Sequence, residues 1–269
     1  MSRMKVRALP GLYYELSNTL RAKNFWFYVT VSVLLCITQY VQGGVLDGAF
    51  GLLVGVDRFS LEDIDIAGII NWLMPHLLLS AYIGECGEQD MRMQRMNMPR
   101  YASMRRYWTF QAIKLVMTGL MYYVAVVVIS ALMSLALGNR MFKISESTLS
   151  FYNLYSGTLP NSWLIMLEIV LRAALTMAMV GMIQLALAWL TDSQRWGLAA
   201  FAALMLVSMF VTDAGVQRFL PCDLTMYLRG GTVSDGLGLA GVCLICASAM
   251  VVTVETLCIA ARTRTIVVN

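Results

Sequence analysis

The chain has 269 residues, of which 59% are apolar and only 13% are charged, and its mean hydropathy is +0.68. Soluble domains carry about 25% charged and roughly 45–50% apolar residues, so this composition excludes an ordinary soluble globular protein and indicates several membrane spans. The net charge is only +4, but the charges are distributed unevenly along the chain.

The first predicted element is a short amphipathic helix at residues 9–23, ahead of any membrane span. Pro10 suits the first turn of a helix. Leu12, Leu16 and Leu20 then share one stripe, and the charged side chains lie off it. This pattern is typical of a helix that lies in the plane of the membrane interface. The alternative is a plain cytosolic extension of the first span.

Six apolar segments follow, and a hydrocarbon core of about 30 Å requires about 20 helical residues to cross it. The third and fourth segments exceed this length, so we expect them to tilt or protrude. Small-residue pairs predict close helix packing at Ala174 and Ala178 in the fourth segment and at Ala199 and Ala203 in the fifth. The predicted spans are 25–42, 66–84, 107–137, 161–190, 196–212 and 237–261. The expected fold class is an all-α membrane protein with one transmembrane domain, residues 1–269.

Lysine and arginine residues indicate how these spans are oriented. With the N-terminus in the cytoplasm, 13 of them flank the spans on the cytoplasmic side and five on the other side. Since positive residues concentrate in short cytoplasmic loops, both termini are predicted to be cytoplasmic. The external loop 213–236 contains an apolar stretch that is too short to span, which predicts a re-entrant or interfacial element. Cys222 is expected in that loop.

Four charged residues and one histidine fall inside the predicted spans, and they are candidate functional residues because charge within a membrane is costly. Glu168 and Arg172 are four residues apart, so they share a helix face and can pair. Lys114 lies close enough to the inner surface for its ammonium group to reach it. The set could line a substrate path or gate, or it could form structural pairs that hold helix register. Its members are His76, Lys114, Glu168, Arg172 and Glu255.

The sequence offers no support for catalysis. His76 is the only histidine, and a zinc site requires three or four ligands, so no metal site is predicted. The chain has neither a phosphate-binding G-x-x-x-x-G-K-[ST] segment nor a nucleophile–base set. No catalytic residue, no cofactor and no ATPase site is therefore expected in this chain.

The connection after the second span, GECGEQDMRMQRMNMPR, is unusually rich in arginine and methionine. If residues 86–98 form a helix, Met91 and Met98 lie on one side, and Met93 and Met96 lie on nearly the opposite side. Two apolar sides need two partners, of which one is the chain's own spans and the other a second protein; methionine suits such an adaptable surface. The alternative is a solvated positive loop whose methionines are incidental.

The residues that follow, RYASMRRYW from position 100, resemble the R-Y-x-S-R-x-x-W-W stretch after the second span of small permeases of type-2 ABC transporters. Many of these permeases belong to systems for peptide-antibiotic export or self-immunity. The second arginine and the first tryptophan of the pattern are replaced. The wider layout is also similar, with an in-plane elbow helix, six spans, a charged helix after the second span and a short apolar element before the sixth. The matching residues are Arg100, Tyr101, Ser103 and Trp108.

The resemblance implies a permease subunit, not itself an enzyme, in the cytoplasmic membrane of a bacterium. The helix at 86–98 would be a coupling helix seated in a separate ATPase subunit, present in two copies, which holds ATP and Mg. A second permease chain, the same or related, would complete the transporter, and no nucleic acid is involved. Arg100, Tyr101 and Trp108 would anchor the next span at the interface. The implied ATPase contacts are Glu88, Asp90, Met91, Arg92, Gln94 and Arg95.

The apolar span faces favour an amphipathic peptide or a lipid-like molecule as the exported substrate. The alternative function is an ATPase-independent membrane carrier, or an immunity or scaffold protein.

Overall fold

A computed structural model describes residues 8–43, 53–55, 66–97, 103–136, 162–211, 214–230 and 237–267, and the regular structure in these ranges is helical. The all-α expectation is therefore confirmed for the part of the chain that the structure describes. In chain order, the helices are α1 (Ala8–Arg21), α2 (Lys23–Gly43), α3 (Ile66–Asn97), α4 (Met104–Ala136), α5 (Ser162–Thr191), α6 (Gln194–Phe210), α7 (Ala214–Gln217), α8 (Pro221–Thr225), α9 (Tyr227–Gly230) and α10 (Leu239–Val267).

Within the described ranges, three helices are long and apolar enough to cross a membrane: Met104–Met133 in α4, Trp163–Thr191 in α5 and Leu239–Ala261 in α10. A fourth is added if α1 and α2, which meet at an angle of 63°, are counted as one broken span. These apolar helices indicate a membrane protein. The second and fifth predicted spans correspond to α3 and α6. By the same criteria of length and hydropathy, these two helices do not qualify as spans, and α6 has only 17 residues.

Helix α5 is the centre of the bundle, because it contacts α3, α4, α6, α8, α9 and α10. In the most apolar stretch of α5, 78% of the residues are buried inside the bundle, whereas the corresponding value for α10 is 28%. Ala174 and Ala178 are fully buried, as their packing role predicts. A Cβ on Gly119 of α4 would lie 3.2 Å from the Ala174 carbonyl oxygen. Ala199 and Ala203 are exposed on α6, so they do not pack against another described helix of this chain.

The basic segments of the chain meet at one end of the bundle. Near the start of α2, Asn24 donates a hydrogen bond to Glu85 of α3 over 2.9 Å. At the start of α4, Arg105 forms a 2.6 Å ion pair with Glu255 in the second half of α10. Of the segments that the charge count predicts on one side of the membrane, these contacts join the start of α2 to α3 and the start of α4 to α10. This end is called the basic end below.

The short helices α7 to α9 lie between α6 and α10, where the sequence predicts a short apolar element. Helix α8 is entirely buried and contacts both α5 and α6. Cys222 lies in this connection as predicted, but it is fully buried on α8, and its thiol donates to the Met205 carbonyl oxygen over 3.0 Å. The backbone N–H of Leu228 donates to the Val54 carbonyl oxygen, which joins the two loop regions.

Helix α3 runs without a break over Ile66–Asn97. The separate helix predicted at 86–98 is instead the continuation of the second predicted span. Gly84 and Gly87 are the residues that favour a break locally. They do not cause one because neighbouring side chains pack against both of them. Residues 88–97 are called the α3 extension below, and residues 84–87 are called its root.

Candidate functional site

The root of the α3 extension is tied to α2 through Glu85. One carboxylate oxygen of Glu85 accepts a 2.6 Å hydrogen bond from the Tyr28 hydroxyl, and the other accepts a 2.9 Å bond from the Asn24 amide. Bonds to an ionised acceptor are stronger than those between neutral groups. Glu85 therefore connects any displacement of α3 at this level to the start of α2.

The other side of the root packs against α5 and α6. A Cβ added to Gly87 would lie 2.9 Å from the Gln194 amide nitrogen and would overlap the Leu185 side chain. A Cβ added to Gly84 would lie 3.2 Å from the Gln184 amide nitrogen. The absence of side chains at these glycines is what allows α3 to approach both helices closely.

Gln184 lies where α3, α5 and α6 meet. The Ser80 hydroxyl donates to the Gln184 side-chain oxygen over 2.7 Å, and the Gln184 amide donates back to the Ser80 carbonyl oxygen over 3.0 Å. Both side chains are buried. On α6, a Cβ added to Gly197 would lie only 2.6 Å from the Gln184 carbonyl oxygen. Gln184 thus attaches α3 to α5 through paired hydrogen bonds one turn before the root, and α6 is in close backbone contact with the same residue.

A tight turn between α5 and α6 sets the position of Gln194. Asp192 has a φ of 51°, a left-handed conformation that aspartate adopts more readily than most residues. The Ser193 N–H donates to the Ala188 carbonyl oxygen over 3.1 Å, and the Thr191 hydroxyl donates to the Leu187 carbonyl oxygen over 2.7 Å. These bonds satisfy backbone carbonyls at the end of α5.

The structure places the predicted ATPase contacts on α3 but does not describe most of their side chains. Glu88 is exposed on the first turn after the root. The backbone of Asp90, Met91, Arg92, Gln94 and Arg95 is helical, and their side chains lie outside the described part of the structure.

Of the three predicted interface anchors, Arg100 and Tyr101 lie outside the described residues. Trp108 is buried, and its ring packs edge-on against Trp189 of α5 with centroids 6.0 Å apart. It therefore attaches α4 to α5 inside the bundle.

His76 belongs to a buried polar network that joins α2, α3 and α4. Its Nδ1 atom lies 2.5 Å from the Tyr123 hydroxyl. The neighbouring Tyr122 hydroxyl donates to the Pro75 carbonyl oxygen over 3.2 Å and lies 2.5 Å from the Ser32 hydroxyl. Pairing to other helices is how polar groups are commonly accommodated within a membrane.

The predicted Glu168–Arg172 pair is present in the structure. The Arg172 Nε atom lies 2.9 Å from the Glu168 carboxylate, and the arginine side chain is fully buried. Its Nη2 group also donates to the Leu237 carbonyl oxygen, immediately before α10. Among the residues that the structure describes, Nη1 has no hydrogen-bond partner. The pair therefore attaches α10 to the central helix.

Lys114 and Glu255 also have charged partners from other helices. Lys114 lies 3.2 Å from Glu15 of α1, and Glu255 pairs with Arg105 as described above. Each of these predicted intramembrane charges thus has a partner of opposite sign. These contacts favour structural pairing over a charged path through the membrane.

A small cavity of about 20 Å³ lies beside Lys114, between α1, α3, α4 and α5. That volume is enough for about one water molecule. The cavity is called the elbow cavity below, and its polar lining includes Thr19, Cys86, Gln111, Lys114 and Thr118.

The most connected residues of the site were not predicted from sequence. Glu85 lies among other charges and has no distinguishing pattern. Gln184 did carry a usable signal, because it is an amide within a long and otherwise apolar helix. Its partner Ser80 is 104 residues away, and a single sequence cannot identify such a pair.

Across the described residues, no group of three or more His, Cys, Asp or Glu side chains could hold a metal ion. All six cysteines are free thiols. Comparisons with family models, curated proteins and solved structures gave no match to the chain.

Proposed function

We propose that this protein is the membrane-spanning permease subunit of an ATP-driven transporter of the ABC class. In this proposal a separate ATPase subunit docks on the α3 extension, and the transporter exports an amphipathic peptide or a lipid-like molecule. The observation that carries the proposal is the continuity of α3, which makes a charged segment the rigid extension of an apolar one.

The length of α3 supports a role in transmitting force. At about 1.5 Å per residue, its 32 residues extend about 48 Å. A hydrocarbon core takes up about 30 Å of that length, which leaves about 18 Å for a part outside the membrane. A protein that pushed on this part would move the root, which contacts α2, α5 and α6. Rigid-body displacement of packed helices is a common switching mechanism.

The rest of the layout supports the same assignment. Helix α1 is separated from α2 by a 63° bend, as expected of an elbow helix. Short helices precede α10, where the resembling permeases carry a short apolar element. In the proposed topology α2, α3, α4, α5, α6 and α10 are six spans and the basic end faces the cytoplasm of a bacterium. Two permease chains pair around the path, and the ATPase subunits supply ATP and Mg.

The runner-up function is an ATPase-independent carrier, and the buried Glu168–Arg172 pair is the observation that favours it. Buried charges within a membrane often mark substrate or ion paths. The pairing of these charges within the chain argues for a structural role instead. A carrier would lose ion-driven uptake on Glu255→Gln and would work without ATP.

The docking proposal can be tested by changing the α3 extension without changing its backbone. The variant Met91→Ala/Arg92→Ala/Arg95→Ala keeps helix-forming residues and removes two charges. We expect it to insert into the membrane normally. We also expect it to lose a co-purifying subunit that is identified by nucleotide photolabelling and by ATP hydrolysis in the eluate.

The matched control is Arg262→Ala/Arg264→Ala, which removes two positive charges from the same predicted side but not from α3. It should retain the ATPase subunit. Normal ATPase association and normal ATP-dependent export by the α3 variant would refute docking on this segment.

A further inference from the structure

The elbow cavity has a mostly apolar lining, into which a few buried polar side chains project. Thr19, Gln111 and Thr118 line it, and each is at most 6% exposed. Together with Lys114 they place hydroxyl, amide and ammonium groups around one small space. The Thr19 hydroxyl donates to the Glu15 carbonyl oxygen over 3.1 Å, so the Lys114 ammonium is the principal group that an anionic occupant would contact.

The ion pair beside the cavity is asymmetric. The Lys114 side chain is 12% exposed, whereas that of Glu15 is 35% exposed. The cation is therefore part of the wall, and the anion is on the outer helix α1, which water can reach. A mostly buried ammonium group needs a counter-ion, but that counter-ion need not be Glu15.

Helix α1 is built as a separate element over the cavity. It ends at Arg21, the Ala22 N–H donates to the Thr19 carbonyl oxygen over 3.1 Å, and α2 leaves at a 63° angle. Thr19 lines the cavity from this last turn. A movement of α1 about the bend would separate Glu15 from Lys114 and widen the cavity.

We propose that the elbow cavity is a binding site for a phosphate group, which replaces Glu15 as the counter-ion of Lys114. A phosphate carries several strong acceptor oxygens, and lysine binds phosphate as a point charge. The cavity of about 20 Å³ is too small for the group, so binding requires that the Glu15 carboxylate moves away and that α1 lifts. This site requires that the protein lies in a membrane, but it does not depend on the proposed ATPase subunit.

The surroundings favour the headgroup of an anionic lipid as the source of the phosphate. Arg21 and Lys23 are exposed at the bend between α1 and α2, and basic residues at the membrane surface attract anionic lipids. The nearby Glu85 carboxylate would repel an anion, but Asn24 and Tyr28 already donate hydrogen bonds to it. A free phosphate ion shares the same chemistry, so the test must separate the two sources.

The test uses the purified full chain in nanodiscs of phosphatidylcholine that contain a small fraction of phosphatidylglycerol. Retained phosphatidylglycerol is counted by native mass spectrometry. Lys114→Gln should reduce retention on the order of tenfold, equivalent to the loss of about one charge-assisted hydrogen bond. Glu15→Gln should increase retention by a similar factor, because the competing carboxylate is gone.

The opposite signs of these two effects separate the proposal from a purely structural ion pair. If the pair only fastens α1, both substitutions break the same contact and should change retention equally or not at all, and that result would overturn the proposal. The charge-matched controls are Arg106→Gln and Asp192→Asn, which alter exposed residues away from the cavity. Both should leave retention within twofold of the unaltered protein.

A second measurement keeps Glu15 and Lys114 intact and so does not depend on either variant folding. Spin labels at the exposed positions Tyr14 and Ile113 report the distance between α1 and α4. Added phosphatidylglycerol should lengthen that distance, and phosphatidylcholine should not. Lengthening by inorganic phosphate in detergent, with no response to phosphatidylglycerol, would overturn the lipid source. No response to either would overturn the site.

Discussion

The close approach of α5 and α6 at Gly197 leads to a prediction whose size can be worked out from the structure. A Cβ at this position would lie 2.6 Å from the Gln184 carbonyl oxygen, and real Cβ atoms essentially never come within 3.0 Å of a neighbour. Gly197→Ala must therefore move the two helices apart by at least 0.4 Å, the difference between these two distances. The obstructing atom belongs to the backbone and cannot rotate away as a side chain could.

Overpacking of this kind costs about 1–3 kcal/mol. We expect a value near the upper end, because backbone has to move. Alanine is a better helix former than glycine by about 1 kcal/mol, which offsets part of the cost. The net loss in the free energy of unfolding is then about 1–2 kcal/mol. At roughly 2–4 °C per kcal/mol for a chain of comparable size, the midpoint should fall by about 2–8 °C.

The natural cysteines provide the assay. A thiol-reactive fluorophore reports unfolding as buried thiols become accessible, and Cys36, Cys222, Cys246 and Cys258 are buried. Replacing the exposed Cys243 with serine lowers the background.

The control is Gly238→Ala, since a Cβ at Gly238 would have no atom within 4 Å. It should leave the unfolding midpoint unchanged or slightly raised. If Gly197→Ala unfolds at the same temperature as this control, the close packing of α5 on α6 is wrong.

Two further predictions concern the buried polar pairs, and thermal unfolding measures both. Arg172→Met should cost about 3–5 kcal/mol because it leaves Glu168 without its cation, and adding Glu168→Leu should recover part of that loss; a double variant as unstable as the sum of the single ones would contradict the pairing. Tyr123→Phe should cost about 1–3 kcal/mol because His76 loses its partner, and His76→Phe in that background should cost less than it does alone. Strictly additive effects of these two substitutions would show that the hydrogen bond contributes nothing to stability.

The predictions that agree with the structure rest on local or compositional signals. The Glu168–Arg172 pair could be predicted because residues four apart share a helix face. The partner of Lys114 could not be, since Glu15 lies on a different helix far earlier in the chain. The helix at 86–98 was predicted as separate because nothing local shows whether Gly84 and Gly87 interrupt α3.

The sequence by itself determined that the protein is helical and suited to a membrane, because hydropathy and the placement of lysine and arginine act locally. Only the tertiary structure decided how the root of the α3 extension is held, through Glu85 to α2 and through Gln184 at the meeting of α3, α5 and α6. Contacts of this kind depend on which helix faces meet, and residues distant in the sequence supply each of those faces.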